Sequence, residues 1–220
     1  MLIVSLIVGL VGGRLAGGDI LNLGSVRLRL VGLLFLGLLF RYATQFAIEI
    51  GISPVDALRL PLFGGGFVLL LIGLWVNREQ PGFPLAFVGV LLNAVAITTN
   101  GGYMPVWAPS VDAAGLKVAE VGTAFHKIVG PAVGGGVPGD FLTQAGPLGD
   151  IIPIPIPLLQ NVVSIGDLFM SAGLGFFLFA VTVPTRSSSR RPPWTCSGGG
   201  SASCGARSRG APPRSRSRRG

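Results

Sequence analysis

The sequence has few charged residues, few cysteines and a single histidine, and each shortage argues against a class of protein. Charged residues make up only 12% of the 220 positions, about half the share in an ordinary soluble domain. Hydrophobic residues make up 50%, and the mean hydropathy of +0.68 argues against a water-soluble fold. Two cysteines and one histidine supply too few ligands for a zinc finger, so we predict no metal site and no cofactor.

The net charge of +8 comes from the C-terminal end of the chain. Arginines are frequent from Arg186 onward, where no acidic residue occurs, and the rest of the chain is close to neutral. We therefore predict no nucleic-acid-binding face. Residues 186–220, rich in Ser, Gly, Arg and Pro, cannot bury a core and are predicted to be a disordered cytoplasmic tail. Two origins stay open for it: a basic tail that binds anionic lipid, or non-native sequence from a shifted reading frame.

Long apolar runs define the predicted structured part, residues 1–185. They predict an all-α fold, a helical integral membrane bundle of about five transmembrane helices, with the lipid bilayer as its partner. The first run is short unless it continues past Arg14, so four spans remain an alternative. The predicted spans are 1–17, 30–50, 61–77, 84–99 and 164–183.

The positions of lysine and arginine between these spans indicate an orientation. With the N-terminus outside, the outer side receives only Arg59, Lys117 and Lys127 before the tail. The positive-inside rule then predicts a multi-pass protein of the cell membrane with its C-terminus in the cytoplasm. The arginines assigned to the inner side are Arg14, Arg27, Arg29, Arg78 and those of the tail.

Residues 100–161 form a long outer segment that is too apolar for a solvated linker. Apolar residues recur at helical spacing from Val118 to Val129, with Lys117 and Glu120 mostly on the opposite face. This pattern predicts an amphipathic helix that lies on the membrane or over the bundle. Alternating prolines in residues 151–157 predict an extended strip.

A polar stripe crosses the second predicted span. Arg41, Gln45 and Glu49 recur every four residues and therefore share one helix face. An arginine facing lipid at mid-bilayer would cost roughly 2.5–3.5 kcal/mol, so we expect the stripe to face the bundle. Asn93 lies at a similar depth in the fourth span, and we predict that it contacts Arg41. The stripe and Asn93 form either a polar pathway or ligand site, or a set of hydrogen bonds that holds the helices together. We favour the second interpretation.

Polar residues outside this stripe have simpler explanations. Ser164 and Asp167 have the spacing of a capping box at the start of the last span. His126 shares the outer segment with several carboxylates, but no metal-ligand or nucleophile motif accompanies it, so we predict no catalytic residue. The carboxylates in question are Asp112, Glu120, Asp140 and Asp150.

Four short motifs carry a resemblance to a known family. They are Asn100-Gly101-Gly102-Tyr103-Met104-Pro105-Val106, His126-Lys127, Leu148-Gly149-Asp150-Ile151-Ile152-Pro153 and Ser164-Ile165-Gly166-Asp167. Their order and spacing resemble the bacterial multi-pass membrane family called domain of unknown function 5317, over about residues 1–183. The resemblance implies a small helical membrane domain and no assigned activity. The Asn-Gly-Gly element also has the residues that a left-handed helix C-cap requires.

Three functions are compatible with these patterns. The leading hypothesis is a non-enzymatic structural or accessory membrane protein, whose outer segment packs on the bundle and offers a surface to a protein partner. The second is a small permease or channel subunit that uses the stripe of Arg41, Gln45 and Glu49 with Asn93. The third is a membrane enzyme with an outer-face site at His126.

Overall fold

Eight α-helices and four short strands make up the part of the chain described by the computed structural model, residues 2–130, 146–157 and 159–183. The disordered tail predicted for residues 186–220 lies outside these described residues. The helices are α1 (Leu2–Leu15), α2 (Val31–Glu49), α3 (Ser53–Ala57), α4 (Arg59–Val76), α5 (Phe83–Thr99), α6 (Ala108–Ala113), α7 (Val118–Val121) and α8 (Ile165–Thr182). The strands are β1 (Met104–Trp107), β2 (His126–Val129), β3 (Asp150–Ile154) and β4 (Asn161–Ser164).

The five long helices coincide closely with the five predicted spans. Among the described residues, α2, α4 and α8 are long and apolar enough to cross a membrane, with 19, 18 and 18 residues. At ~1.5 Å per residue, such helices cover about 27 Å, close to the thickness of the hydrocarbon core. The helices α1 and α5 are equally apolar but have only 14 and 17 residues. Five spans therefore stay a prediction.

Glycines bring the long helices into close contact. The packing runs from α1 to α8, then to α5, α4 and α2. Gly89 of α5 packs against the main chain of Gly166 and Met170 in α8, and Gly37 of α2 packs against Gly66 and Leu70 in α4. Small residues at these crossings let the backbones approach, as in many membrane bundles. Aromatic and aliphatic side chains such as Phe63, Phe67 and Ile97 fill the core between the helices.

A four-stranded sheet occupies the region between α5 and α8, so the prediction of an all-α fold was wrong there. The strand order is β2-β1-β3-β4, with β1 parallel to both neighbours and β3 antiparallel to β4. The extended strip predicted for residues 151–157 is extended from Asp150 to Ile154, where it forms β3. Val106, Val111, Ala114 and Val162 form a separate apolar cluster against the sheet. Branched valines favour this pleated, half-buried surface.

The prediction of an amphipathic helix between Val118 and Val129 was also wrong. Only Val118–Val121 is helical, and His126–Val129 forms β2 instead. The backbone of this strand pairs in register with β1, from Met104 opposite His126 to Trp107 opposite Val129. The apolar residues of this segment would lie on one face of a helix, but its backbone forms hydrogen bonds with β1 instead. Pairing with a distant strand thus overrides a short local sequence pattern.

Two local structures attach the sheet to the bundle. The helix α5 ends at Thr99, after which Gly101 and Gly102 adopt positive φ angles of 67° and 91° and turn the chain into β1. At the other junction, β4 runs directly into α8, because Ser164 ends the strand and caps the helix. Both connections are short, so the sheet is held over the ends of α5 and α8.

Candidate functional site

A polar cavity of about 230 Å³ lies between the sheet and the helix bundle. The helices α2, α5 and α8 contribute polar side chains from the bundle, and the sheet contributes others from β2, β3 and β4. The polar residues that line it are Arg41, Tyr42, Gln45, Asn93, His126, Asp150, Asn161, Asp167 and Ser171. The cavity therefore joins the intramembrane stripe to the His126 region, which the sequence presented as two separate features.

Asn93 is held by the first turn of α8. Its Nδ2 group donates to Asp167 Oδ1 over 2.7 Å, and its Oδ1 atom accepts from the Ser164 hydroxyl over 2.9 Å. The Ser164 oxygen in turn accepts from the Asp167 amide, as expected for a helix N-cap. Gly166 leaves the room for this contact, because a Cβ atom there would meet the Asn93 side chain. The amide of Asn93 thus fixes the orientation of the Asp167 carboxylate in the cavity wall.

Arg41 is held by aromatic rings instead of by a carboxylate. Its guanidinium carbon lies 5.4 Å from the centre of the Tyr42 ring and 5.8 Å from that of Phe67, within the range of cation–π attraction. Among the described residues, Arg41 forms no salt bridge. The predicted contact with Asn93 is not a hydrogen bond, because Asn93 is bonded to Asp167 and Ser164, although Arg41 and Asn93 both line the cavity. The positive charge of Arg41 is therefore available to a bound molecule.

Three buried polar atoms in the cavity wall have no hydrogen-bond partner among the described residues. They are Arg41 Nε, Asp150 Oδ1 and Ser171 Oγ. Asp150 and Ser171 are each only 6% exposed, so bulk water does not readily satisfy them. A buried polar group without a partner costs roughly 1–3 kcal/mol. All three atoms belong to residues that line one cavity, where hydrogen-bonding capacity is thus concentrated.

His126 on β2 and Asp150 on β3 approach each other across the strand between them, β1. The Nε2 atom of His126 lies 3.8 Å from Asp150 Oδ2, and its Nδ1 atom lies 2.8 Å from the Thr123 hydroxyl. Burial lowers the pKa of His126 below its usual 6.5, and burial raises the pKa of Asp150 well above its usual 3.8. Both shifts favour the neutral forms of the two groups.

The lowered pKa of His126 predicts a loss of stability in acid. Below about pH 6.5 the unfolded chain binds a proton at His126 more readily than the folded protein does. The free energy of unfolding is therefore not reduced by His126 above pH 6.5 and decreases as the pH falls below it. Asp150 acts in the opposite sense, because its raised pKa removes stability as the pH rises above 3.8. We expect His126→Gln to lose less stability than the wild type between about pH 7.5 and about pH 5.

Thermal unfolding of the purified protein in detergent, followed at both pH values, measures this difference. Lys127→Gln is the matched control, because Lys127 is the exposed neighbour of His126 on β2. An acid-induced shift in midpoint that is the same for wild type and His126→Gln would contradict the prediction.

The structure brings some of the predicted site residues together and separates others. Arg41, Gln45 and Asn93 line the cavity, whereas Glu49 is exposed and accepts a hydrogen bond from Gln45 over 3.1 Å. Asp112 is exposed, and Asp140 lies outside the described residues. No cluster of three or more potential metal ligands occurs within residues 2–130, 146–157 and 159–183.

Three further motif residues lie at or near the cavity. Met104 lines it, and Pro105 is buried beside it in β1. Gly149 lets β3 approach β1, because a Cβ atom there would meet the Pro105 main chain. Sequence reasoning missed Ser171 and Asn161. Ser171 could have been found, since Ser164, Asp167 and Ser171 recur at helical spacing on one face of α8.

Comparison with known proteins agrees with the motifs that surround this cavity. A protein of Thermotoga maritima described as uncharacterized is 30% identical over 147 residues, which cover 66% of this chain and 75% of that protein. No solved structure matches the chain significantly. The sequence profile of one family matches residues 25–179, a range that includes α2, α4, the sheet, every polar residue of the cavity wall and all but the last three residues of α8. The chain therefore belongs to the family of unknown function DUF5317.

Proposed function

We propose that this protein is a non-enzymatic accessory component of the bacterial cell membrane that binds a small anionic ligand between its sheet and its helix bundle. The observation that carries the proposal is the group of three buried, unpartnered polar atoms in one cavity, Arg41 Nε, Asp150 Oδ1 and Ser171 Oγ. Arginine and serine both donate hydrogen bonds, and a protonated aspartic acid donates one as well. All three groups therefore suit a ligand that accepts hydrogen bonds.

The charges in the cavity wall favour an anion. Arg41 lacks a salt bridge to any described carboxylate, whereas Asp167 is already hydrogen-bonded to Asn93 and lies in the first turn of α8. The positive end of a helix dipole stabilises a carboxylate in that position. Among the described residues of the wall, Arg41 is thus the charged group that a ligand of opposite charge would pair with.

The alternative of a small permease is less well supported. Transport of a polar solute would require polar groups deeper in the bundle. Below the cavity, the space between the helices is lined by residues such as Leu34, Leu70 and Phe83, and its polar lining consists of groups that it shares with the cavity. An enzyme is less well supported too, because 3.8 Å separates His126 Nε2 from Asp150 Oδ2 and exceeds hydrogen-bond distance.

The orientation belongs to the same proposal. The cavity and the sheet would face the outside of the cell, with the N-terminus outside and the C-terminus in the cytoplasm. Basic residues near the opposite helix ends support this arrangement. Arg14 lies in the last turn of α1, next to Gly13, which packs against Thr182 at the end of α8. Arg29 is joined to Asn77, after the last residue of α4, by two hydrogen bonds of 2.7 Å. A protein partner for the outer segment remains a prediction from the sequence.

Native mass spectrometry of the membrane-purified protein tests the proposal. We expect the wild type to retain a bound small molecule and Arg41→Gln or Ser171→Ala to retain at least tenfold less, because hydrogen bonds to a charged group contribute roughly 1.5–3 kcal/mol each. Ser5→Ala is the matched control, since the Ser5 hydroxyl bonds Leu2 within α1 and does not line the cavity. Equal occupancy in all four proteins, or none in the wild type, would contradict the proposal.

A further inference from the structure

A second, apolar space continues from the polar cavity into the bundle. This groove, of about 150 Å³, is lined almost entirely by aliphatic and aromatic side chains from the five long helices. It shares five residues with the polar cavity: Leu2, Arg41, Tyr42, Asn93 and Met170. The polar cavity and the groove therefore meet at Arg41 and Asn93, so that a single molecule can occupy both.

The groove has a direction and an opening. Along α5 it extends from Asn93 back to Phe83, about 15 Å at ~1.5 Å per residue. Leu38 of α2 lines it and is nevertheless 39% exposed, which marks a side where the groove opens to the outside of the bundle. A hydrocarbon chain entering from the bilayer could reach the groove there without crossing the polar cavity.

We infer that the ligand is a single-chain carboxylic acid, a fatty acid whose carboxylate lies at Arg41 and Ser171 and whose chain lies in the apolar groove. This inference rests on the proposed function and adds the chemical class of the ligand. Arg41 Nε and the Ser171 hydroxyl donate to the carboxylate oxygens, and the groove residues Leu70, Leu74 and Ala86 contact the chain.

The charge of the wall selects a carboxylate over a doubly charged head. Among the described residues that line the cavity, Arg41 is the single cationic side chain and the Asp167 carboxylate lies in the same wall, so a phosphate dianion would meet repulsion from Asp167 as well as attraction to Arg41. Burial raises the pKa of Asp150, and a protonated carboxyl group can share its proton with a bound carboxylate. A head with one negative charge therefore fits this wall best.

Photolabelling with hexanoic acid that carries a diazirine at the chain end tests the inference, in nanodiscs of neutral lipid, because a chain of about six carbon atoms suits a groove of about 150 Å³. We expect labelled peptides from α4 and α5 along the groove in the wild type, and at least a tenfold loss of this labelling in Arg41→Gln. Leu38→Trp should also reduce it by filling the groove, whereas Leu39→Trp, at a position 64% exposed and outside the groove lining, should not.

Three competitors at equal concentration identify the head and the chain. We expect hexanoate to displace the probe, and hexyltrimethylammonium and acetate to leave the labelling unchanged, because one has the wrong charge and the other lacks the chain. Displacement by the cation, or equal labelling of wild type, Arg41→Gln and Leu38→Trp, would overturn the inference. If native mass spectrometry still shows a water-soluble molecule that depends on Arg41 and Ser171, only the inference fails and the proposed function stands.

Discussion

Replacing Gly89 with alanine is expected to separate α5 from α8 and to destabilise the folded protein strongly. The added Cβ would lie 2.9 Å from Met170 Cα and would also meet the main-chain nitrogen of Met170 and the Gly166 oxygen. All three obstacles are backbone atoms, so no side chain can rotate away. We expect a loss near the upper end of the roughly 1–3 kcal/mol typical of overpacking. The two helices carry Asn93 and Asp167, so the cavity should be disrupted as well.

Gly64→Ala in α4 is the matched control for this experiment. A Cβ at Gly64 would have no atom within 4 Å, and the position is likewise inside a long apolar helix. Alanine there should leave stability unchanged or raise it by up to about 1 kcal/mol, because glycine costs conformational entropy in a helix. Unfolding midpoints measured in the same detergent compare the two variants. Similar midpoints for Gly89→Ala and Gly64→Ala would refute the role assigned to the α5–α8 contact.

The helices could be predicted from the sequence because their signal is local. Each consists of a continuous apolar run bounded by glycine, proline or charge, and the predicted spans agree with the observed helices almost residue for residue. The helix caps at Ser164 and at Gly101 and Gly102 were predicted for the same reason, since a cap depends on a few neighbouring residues.

The sheet could not be predicted in this way because its hydrogen bonds join distant parts of the chain. Its strands have only four or five residues. Each residue of β1 pairs with a residue of β2 more than twenty positions further along the chain, as Met104 does with His126. In so short a strand, an apolar pattern with a period of two cannot be distinguished from one turn of an amphipathic helix. The residues after Gly122 were assigned to a helix on that account.

The candidate site was predicted in parts but not as a whole. Arg41 and Asn93 were recognised as polar residues at similar depth in predicted spans, and His126 and Asp150 were only placed in the same outer segment, among several other carboxylates. Only the strand order places β2 and β3 over the ends of α2, α5 and α8, so that the two groups line one cavity. Ser171 was overlooked because one serine in an apolar helix is common and carries no charge.

Replacing Asn93 with leucine is the second change for which we expect a large effect. The substitution removes the donor to Asp167 Oδ1 and the acceptor of the Ser164 hydroxyl, which is fully buried. Leucine keeps a similar volume, so the loss reports mainly on the missing hydrogen bonds. An unsatisfied buried polar group costs roughly 1–3 kcal/mol and a charged one more, so the folded protein should lose about 3 kcal/mol.

Gln45→Leu separates this effect from a general loss of polarity in the cavity. Gln45 also lines the cavity, but its side chain donates to Glu49 at an exposed position, so its removal should cost less than about 0.5 kcal/mol. Equal destabilisation by the two substitutions, measured by unfolding in detergent, would contradict a specific stabilising role for the hydrogen bonds of the Asn93 amide. A double-mutant cycle then assigns the contact. Asn93→Leu should cost less in an Asp167→Leu background, because only the loss of the acceptor for the Ser164 hydroxyl then remains. Coupling of Asn93 to Arg41 alone would instead support the Arg41–Asn93 contact predicted from the sequence.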